Sequence, residues 1–295
     1  MMLRYIYPTS ITESMLVSSS VPETDYAAWS AVTAYTAGQR VIYAHAIWER
    51  LANGTTSTAP NADAVNWVRV GPTNRWACFD QAVGTATSAA GNITFAISPG
   101  LVHGLALLDL SADSVQVQMT VAGNVVYSKT ISAVALTLDA DNWFDWFANS
   151  IERRRVVTVT DLPLYGNGVI TVTITGAGTV SLGTCVVGMV HDIGEVLAGA
   201  TVGITDYSVK VRDAFGAVML TQRGYSDRVT LPLLIRNTSL DNVKRRLARV
   251  RATPVVWIGS RRYDSLVPYG LCRDFSIAIP GTQYSTCSLE IDGLI

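Results

Sequence analysis

The chain has 295 residues, 49% of them apolar, with a formal net charge of −1 at pH 7. That length suffices for about two or three domains with real cores, and that apolar share excludes a disordered tail. A near-neutral balance leaves no overall electrostatic footprint for nucleic acid or an anionic membrane, so neither is expected as a partner.

The opening residues, Met1-Met2-Leu3-Arg4-Tyr5-Ile6-Tyr7-Pro8, lack the charged, apolar, small-residue order of a secretory signal. No run approaches the ~18 continuous apolar residues of a membrane-spanning helix. Residues 1–25 therefore read as the N-terminal arm of a soluble chain not exported by its own leader. From Trp29 to Trp67 the composition changes: Trp29, Tyr35, Tyr43, Trp48 and Trp67 lie among Gly38, Pro60 and many Thr and Asn residues. Turn residues every few positions exclude an ordinary helix. Residues 26–72 are expected to form a small β module whose limited core is built from aromatics.

Trp29-Ser30-Ala31, Thr33-Ala34-Tyr35-Thr36-Ala37-Gly38-Gln39-Arg40-Val41-Ile42-Tyr43, Ile47-Trp48-Glu49-Arg50, Pro60 and Asn66-Trp67 together resemble the small chitin-binding-type carbohydrate-binding modules of chitinases and phage tail proteins. The resemblance implies a short three-stranded β fold that docks a polysaccharide on exposed aromatics, and it makes Trp48, Tyr43, Trp29 and Tyr35 the candidate glycan-binding residues. After the hairpin, where chitin binders carry adjacent exposed aromatics, this chain reads Leu51-Ala52-Asn53-Gly54-Thr55. Each ring keeps two readings, a buried core position or a surface on which a pyranose stacks.

Gly71-Pro72 reads as a hinge into a second region, residues 73–203. Asn92–Ile97, Val115–Val121 and Gly168–Thr175 alternate with period two, which places Val115, Val117, Met119 and Val121 on one buried face and Gln116, Gln118 and Thr120 on the other. Gly123-Asn124 is expected to turn the hairpin into Val125-Val126-Tyr127, because both residues tolerate positive φ. Short strands with turn signals between them predict an antiparallel β-sandwich, a jelly roll by pattern. In that pattern it resembles the galactose-binding-like sandwiches of phage tail proteins. Asp141-Asn142-Trp143-Phe144-Asp145-Trp146-Phe147 is either an exposed stacking or subunit-docking surface or a loop tucked under the sandwich edge. Glu152-Arg153-Arg154-Arg155 reads as a solvated face or an intersubunit ion-pair strip leading into the strand Val156–Thr160.

Residues 204–295 change character again. Asp206 to Leu220 predicts a hairpin turning near Phe215-Gly216. Residues 239–252 predict the one helix: Ser239 caps it, Asp241 complements its dipole, and Leu240, Val243, Leu247 and Val250 fall on one face. Pro254 ends it. Lys244, Arg245, Arg246, Arg249 and Arg251 decorate its outer side, read as solvation rather than a nucleic-acid arm. Pro254–Gly259 reads as a buried strand, and Phe275–Ile279 and Cys287–Ile291 as alternating ones.

Gly203–Ser208, Arg223-Gly224-Tyr225-Ser226-Asp227, Pro254-Val255-Val256-Trp257, Tyr269–Phe275 and Cys287–Leu294 look like distal tail or upper baseplate proteins of long-tailed bacteriophages. This second resemblance covers roughly the C-terminal third and brings no catalytic residues. It implies a ring-forming adaptor of roughly three or six copies between tail tube and tip, with accessory domains projecting outward.

Catalytic and metal chemistry find little support. Cys78, Cys185, Cys272 and Cys287 lie far apart with no C-x-x-C pair and read as buried thiols, and His45, His103 and His191 are scattered, so metal-ligand spacing is absent. None of the histidines stands near a nucleophile elbow. Asp109 with Asp113, or Asp141 with Asp145, are carboxylate pairs too commonplace to mark a glycosidase. Gly176-Ala177-Gly178 has no helix after it and is not a phosphate loop.

The expectation is therefore a mainly β protein: an aromatic-rich β module, a central antiparallel β-sandwich and a C-terminal β domain with one helix. Its expected role is that of a structural component of a phage tail tip or baseplate, assembled in the host cytoplasm and located in the virion tail. Expected partners are further copies of itself, tail tube, hub or fibre proteins, and host surface polysaccharide, with no membrane insertion, no cofactor and no metal. The competing expectations are a non-viral carbohydrate-binding accessory protein and a glycan-cleaving tail enzyme.

Overall fold

The computed structural model describes residues 1–134, 153–212, 216, 218–260, 263–281 and 283–294. The Asp141–Phe147 cluster, Glu152 and Phe215 lie outside the described residues. In chain order come β1 (Met2–Pro8), β2 (Leu16–Ser19), β3 (Arg40–Tyr43), β4 (Ala46–Arg50), β5 (Trp67–Pro72), β6 (Thr87–Ile97), β7 (Gly104–Ser111), β8 (Ser114–Val121), β9 (Asn124–Ser132) and β10 (Val156–Val159). Then follow β11 (Val169–Val196), β12 (Thr201–Asp206), β13 (Val209–Arg212), β14 (Val218–Thr221), β15 (Tyr225–Arg236), helix α1 (Leu240–Arg249), β16 (Val255–Ile258), β17 (Tyr269–Ala278) and β18 (Tyr284–Gly293). The fold is mainly β, with a large antiparallel sheet and a single α-helix among the described residues.

β11 is 28 residues long and belongs to two bodies. Its first part pairs with β8 on one side and β6 on the other, with β9 and β2 outside them. Its middle pairs with β7, which carries β10. These strands enclose the sandwich core, in which Ile93, Phe95, Leu105, Leu107, Val117, Met119, Ile170, Val172 and Leu182 are buried. The period-two expectation for β8 holds for Val115, Val117 and Met119 inside and Gln116 outside, whereas Gln118, Thr120 and Val121 are half-buried.

Two irregularities let one strand serve both layers. Between Thr175 and Thr179 the register with β6 shifts, and Gly91 (φ 77°) and Gly178 (φ 109°) take the left-handed conformations such a bulge needs. At Asp109 (φ 51°) the pleat of β7 reverses, so that Leu105, Leu107 and Leu110 all reach the same core. Gly183 stands against Asp109, where a Cβ would come within 2.8 Å of the Asp109 Cβ.

The last turns of β11 pair with β1, and from there the order runs β1, β16, β17, β18, β15 and back to β11 through Glu195↔Leu234 and Val196↔Leu233. The C-terminal body is thus a closed antiparallel barrel of six strands, without a free edge inside the ring. Alternating inward residues of β15 (Val229, Leu231, Leu233, Ile235) meet Leu3, Tyr5, Trp257 and Leu289, and α1 adds Val243 and Leu247, with Val250 just after it. A smaller cluster of Ile6, Ala106, Leu108, Val186, Val256 and Val267 joins barrel to sandwich.

Several expectations change accordingly. Residues 1–25 are not a free arm, since β1 sits between β11 and β16 with Leu3, Tyr5 and Ile6 buried. The boundary at 203/204 falls inside β12, and β11 crosses from one body to the other. Gly71-Pro72 is the paired end of β5, not a hinge. The turn after β8 is Ala122-Gly123, both at positive φ, with Val121 opposite Asn124, the geometry of a two-residue primed turn. The helix is shorter than 239–252, and Ser239 caps it without a side-chain bond because its hydroxyl donates to the Arg236 carbonyl at 2.9 Å.

Three of the cysteines are buried and Cys272 is half-buried, and none is in a disulfide. Burial pushes Cys78 up to about 12 and Cys287 to about 11, so these thiols remain protonated and unreactive.

Gly188 lies where β1 and β11 meet, and a Cβ there would land on the Tyr7 carbonyl. Gly188→Ala is expected to cost about 3 kcal/mol or more, read as a loss of the cooperative melting transition or of soluble protein. A second expectation concerns pH. Burial, then the Arg246 and Arg249 charges, hold the His191 imidazole below its ordinary value, with Asp192 opposing them. The unfolded chain takes up this proton near pH 6.5, before the folded chain does, so the stabilisation is present above that pH and is lost as pH falls through the folded value. The melting temperature should fall from about pH 7 to about pH 5, and in His191→Gln it should fall by less.

Candidate functional site

The module is the three-stranded sheet β3-β4-β5. Its β3–β4 hairpin turns on Ala44 (φ 49°) and His45 (φ 62°), so Tyr43 stands opposite Ala46 and Val41 opposite Trp48. The core is Tyr35, Val41 and Trp67, with Trp29 and Trp48 packed against it. Tyr35 is 4% exposed and meets Trp67, 1% exposed, edge to face at 5.2 Å. Its hydroxyl accepts from the Ser30 N–H at 2.7 Å. The buried Arg50 guanidinium covers the Trp67 ring at 5.1 Å and donates to the Ala52 carbonyl, a desolvated cation on an aromatic face.

The four candidate residues therefore separate. Tyr35 is a core residue, and a ring without an exposed face cannot stack on a pyranose. Trp48 is half-buried against the same core, and its Nε1 donates to the Tyr43 carbonyl at 3.0 Å. Trp29 and Tyr43 are half-buried and meet at 5.4 Å with their planes 78° apart. They form a right-angled aromatic corner in a cleft of about 420 Å³, completed by Glu13, Glu23, Tyr26, Ala28, Ile42, Ala44 and His45.

This cleft lies where the module meets the rest of the chain. The imidazole of His45 is 3.0 Å from Glu23 through Nδ1 and 3.5 Å from Glu13 through Nε2. Glu23 also accepts from the Thr73 hydroxyl at 2.9 Å and has Arg75 at 3.7 Å. The other side of the His45 ring lies against Trp76 at 4.5 Å, from which aromatic contacts run through Phe79 to Phe95 in the sandwich core. The hairpin tip is thus tied by hydrogen bonding and by ring contact at once. Glu13, Glu23, Tyr26 and His45 were not legible as site residues: two of them precede the module, and a lone histidine in a turn carries no local signal.

Elsewhere the proposed chemistry is taken up by structure. Asp109 is paired with Arg155, and Asp113 with Arg153 at 3.0 Å. Asp113 also accepts from the Ala177 N–H at 2.8 Å, and that bond, followed by Arg153, holds its carboxyl below the usual range. Arg153 and Arg155 thus form ion pairs within the chain. His103 faces the Leu162 carbonyl at 2.9 Å, and His191 lies on the Tyr5 ring at 5.1 Å. No group of three or more His, Cys, Asp or Glu placed to hold a metal occurs among the described residues. On α1, Arg246 donates to the Asp192 carbonyl and Arg249 lies over the Tyr7 ring at 5.5 Å. No described helix is long and apolar enough to cross a membrane.

No family model, curated protein or solved structure matches the chain.

Replacing Glu23 with Gln removes the charge that His45, Thr73 and Arg75 share. A charge-assisted bond of this kind is worth roughly 1.5–3 kcal/mol. Hydrogen exchange across β3 and β4 is therefore expected to rise about tenfold or more while exchange in the barrel strands is unchanged.

Proposed function

We propose that this chain is a structural component of a phage tail tip or baseplate, a ring-forming adaptor built on the barrel, with the module available for weak adhesion to host-surface glycan. The resemblance of Gly203–Ser208, Tyr269–Phe275 and Cys287–Leu294 to distal tail proteins supports the tail assignment, and those segments form barrel strands and the adjoining β12. The observation that carries assembly is the set of exposed apolar residues on β12 and on the β13–β14 hairpin. β13 and β14 pair only with each other among the described strands, and β12 is bonded along one edge, to β15. Met219 and Leu220 are each 69% exposed and Ile204 62%, Val202 and Val218 are exposed near them in sequence, and Val211 is exposed opposite Met219.

An open strand edge with apolar side chains is a surface that a lone chain rarely leaves uncovered. A second copy of this chain is the proposed cover. Where the patch it meets is a different one, repetition about an axis closes a ring. Many copies would also turn a weak affinity at each module into avidity. The further partners under this reading are tail tube, hub or fibre proteins, and the location is the virion tail.

Light scattering of the purified chain tests the reading. A mass of roughly three or six copies is expected, falling to one copy in Met219→Asp/Leu220→Asp without a change in the melting transition. A chain that stays single at high concentration would count against the ring and favour the carbohydrate-binding accessory protein.

A further inference from the structure

The cleft between the hairpin tip and the segment preceding the module has a chemistry of its own. Its aromatic lining is Trp29, Tyr43 and Tyr26, its carboxylates are Glu13 and Glu23, and its remaining ionisable group is the His45 imidazole. Neither lysine nor arginine lines it; Arg40, outside the lining, donates to the Tyr26 hydroxyl at 3.4 Å and is paired with Glu49 at 2.8 Å. Trp29 and Tyr43 stand 78° apart, so a group placed in the corner meets the face of one ring beside the edge of the other. Tyr26 is exposed at the rim. Glu23 has His45 Nδ1 at 3.0 Å and Arg75, outside the lining, at 3.7 Å. Glu13, with its side chain 82% exposed, has His45 Nε2 at 3.5 Å, so that a largely solvent-exposed carboxylate stands beside the cleft.

Aromatic faces carry negative potential and attract cations within about 6 Å of the ring centroid. Carboxylates beside them add Coulomb attraction, which survives best where the site is partly closed to solvent. A neutral pyranose would gain stacking and hydrogen bonds here but nothing from the charge. From the combination of perpendicular rings, two carboxylates and no lysine or arginine in the lining, we infer that this cleft binds an ammonium group, either a quaternary ammonium or a protonated amine carried by a sugar. The site is composite, because the rings come largely from the module and the carboxylates from the preceding segment. An isolated module would lack half of it. The inference goes beyond the assembly reading, and it holds for a single chain as for a ring.

The test uses the full chain and ligand-observed nuclear magnetic resonance with competition. Choline is compared with 3,3-dimethylbutan-1-ol, which has its shape without the charge, and glucosamine with N-acetylglucosamine at a pH where the amine is protonated. At least one cation is expected to bind about tenfold more tightly than its neutral counterpart, and whether choline or glucosamine does so identifies the carrier. Glu13→Gln, a substitution on the surface, should reduce that preference to about twofold or less, and Tyr26→Ala should weaken the cation and leave the melting transition intact. Equal binding of the charged and neutral partners, absence of competition by either cation, or a preference unchanged in Glu13→Gln would each overturn the inference.

Discussion

The ladder between β11 and its partners is the constraint on which the rest of the molecule rests. β11 hydrogen-bonds to β1, β6, β7, β8 and β15, so the sandwich and the barrel share one length of backbone. Barrel closure takes place at its end, where Gly194 passes close to β15 and a Cβ would approach the Leu234 carbonyl to 2.7 Å. The absence of a side chain there is what allows two strands to meet without splaying the ring. Arg4 and Asp192 are joined across 188 positions of sequence. Pairings of that separation carry a large loop-closure cost before they contribute stability, and the barrel core is complete only once β1 and β18 are both in place.

The module is held by a different logic. Its own core is small, and much of its ring surface serves internal packing, as Tyr35 and Trp67 illustrate. What fixes it to the rest of the chain is the turn at Ala44-His45, which places an imidazole between Glu23, Glu13 and Trp76. The same contacts that orient the module also shape the acidic aromatic cleft, so attachment and recognition share residues. Of the four ring candidates read from sequence, Trp48 and Tyr35 lie outside the cleft, whereas Trp29 and Tyr43 line it.

Local patterns were legible where the physics is local. Alternation in Val115–Met119 identified a half-buried strand, the Val243/Leu247/Val250 spacing identified the helix, and the four hydrophobic residues Val255–Ile258 identified a strand buried on both faces. Pairing partners were not legible. Nothing in Met2–Pro8 marks it as a barrel strand instead of an arm, because the signal resides in residues near 190 and 257. The displaced turn at Ala122-Gly123 has a related cause: register against β9 decides which residues take positive φ, and Ala122 accepts it. Of the cleft, Trp29 and Tyr43 could be read from the module pattern, but Tyr26, His45 and the carboxylates are brought to them only by the fold.

The sharing of β11 has a mechanical side. Antiparallel ladder bonds lie perpendicular to their strands. A load that draws barrel and sandwich apart along the axis of β11 therefore shears the β1 and β6 ladders, and their bonds resist together. A load applied at β12 meets a strand bonded along a single edge, where the bonds open one after another. The molecule is consequently stiff along the line joining its two bodies and weak at its uncovered rim, so a neighbour seated on that rim would reinforce the place where the chain by itself yields first.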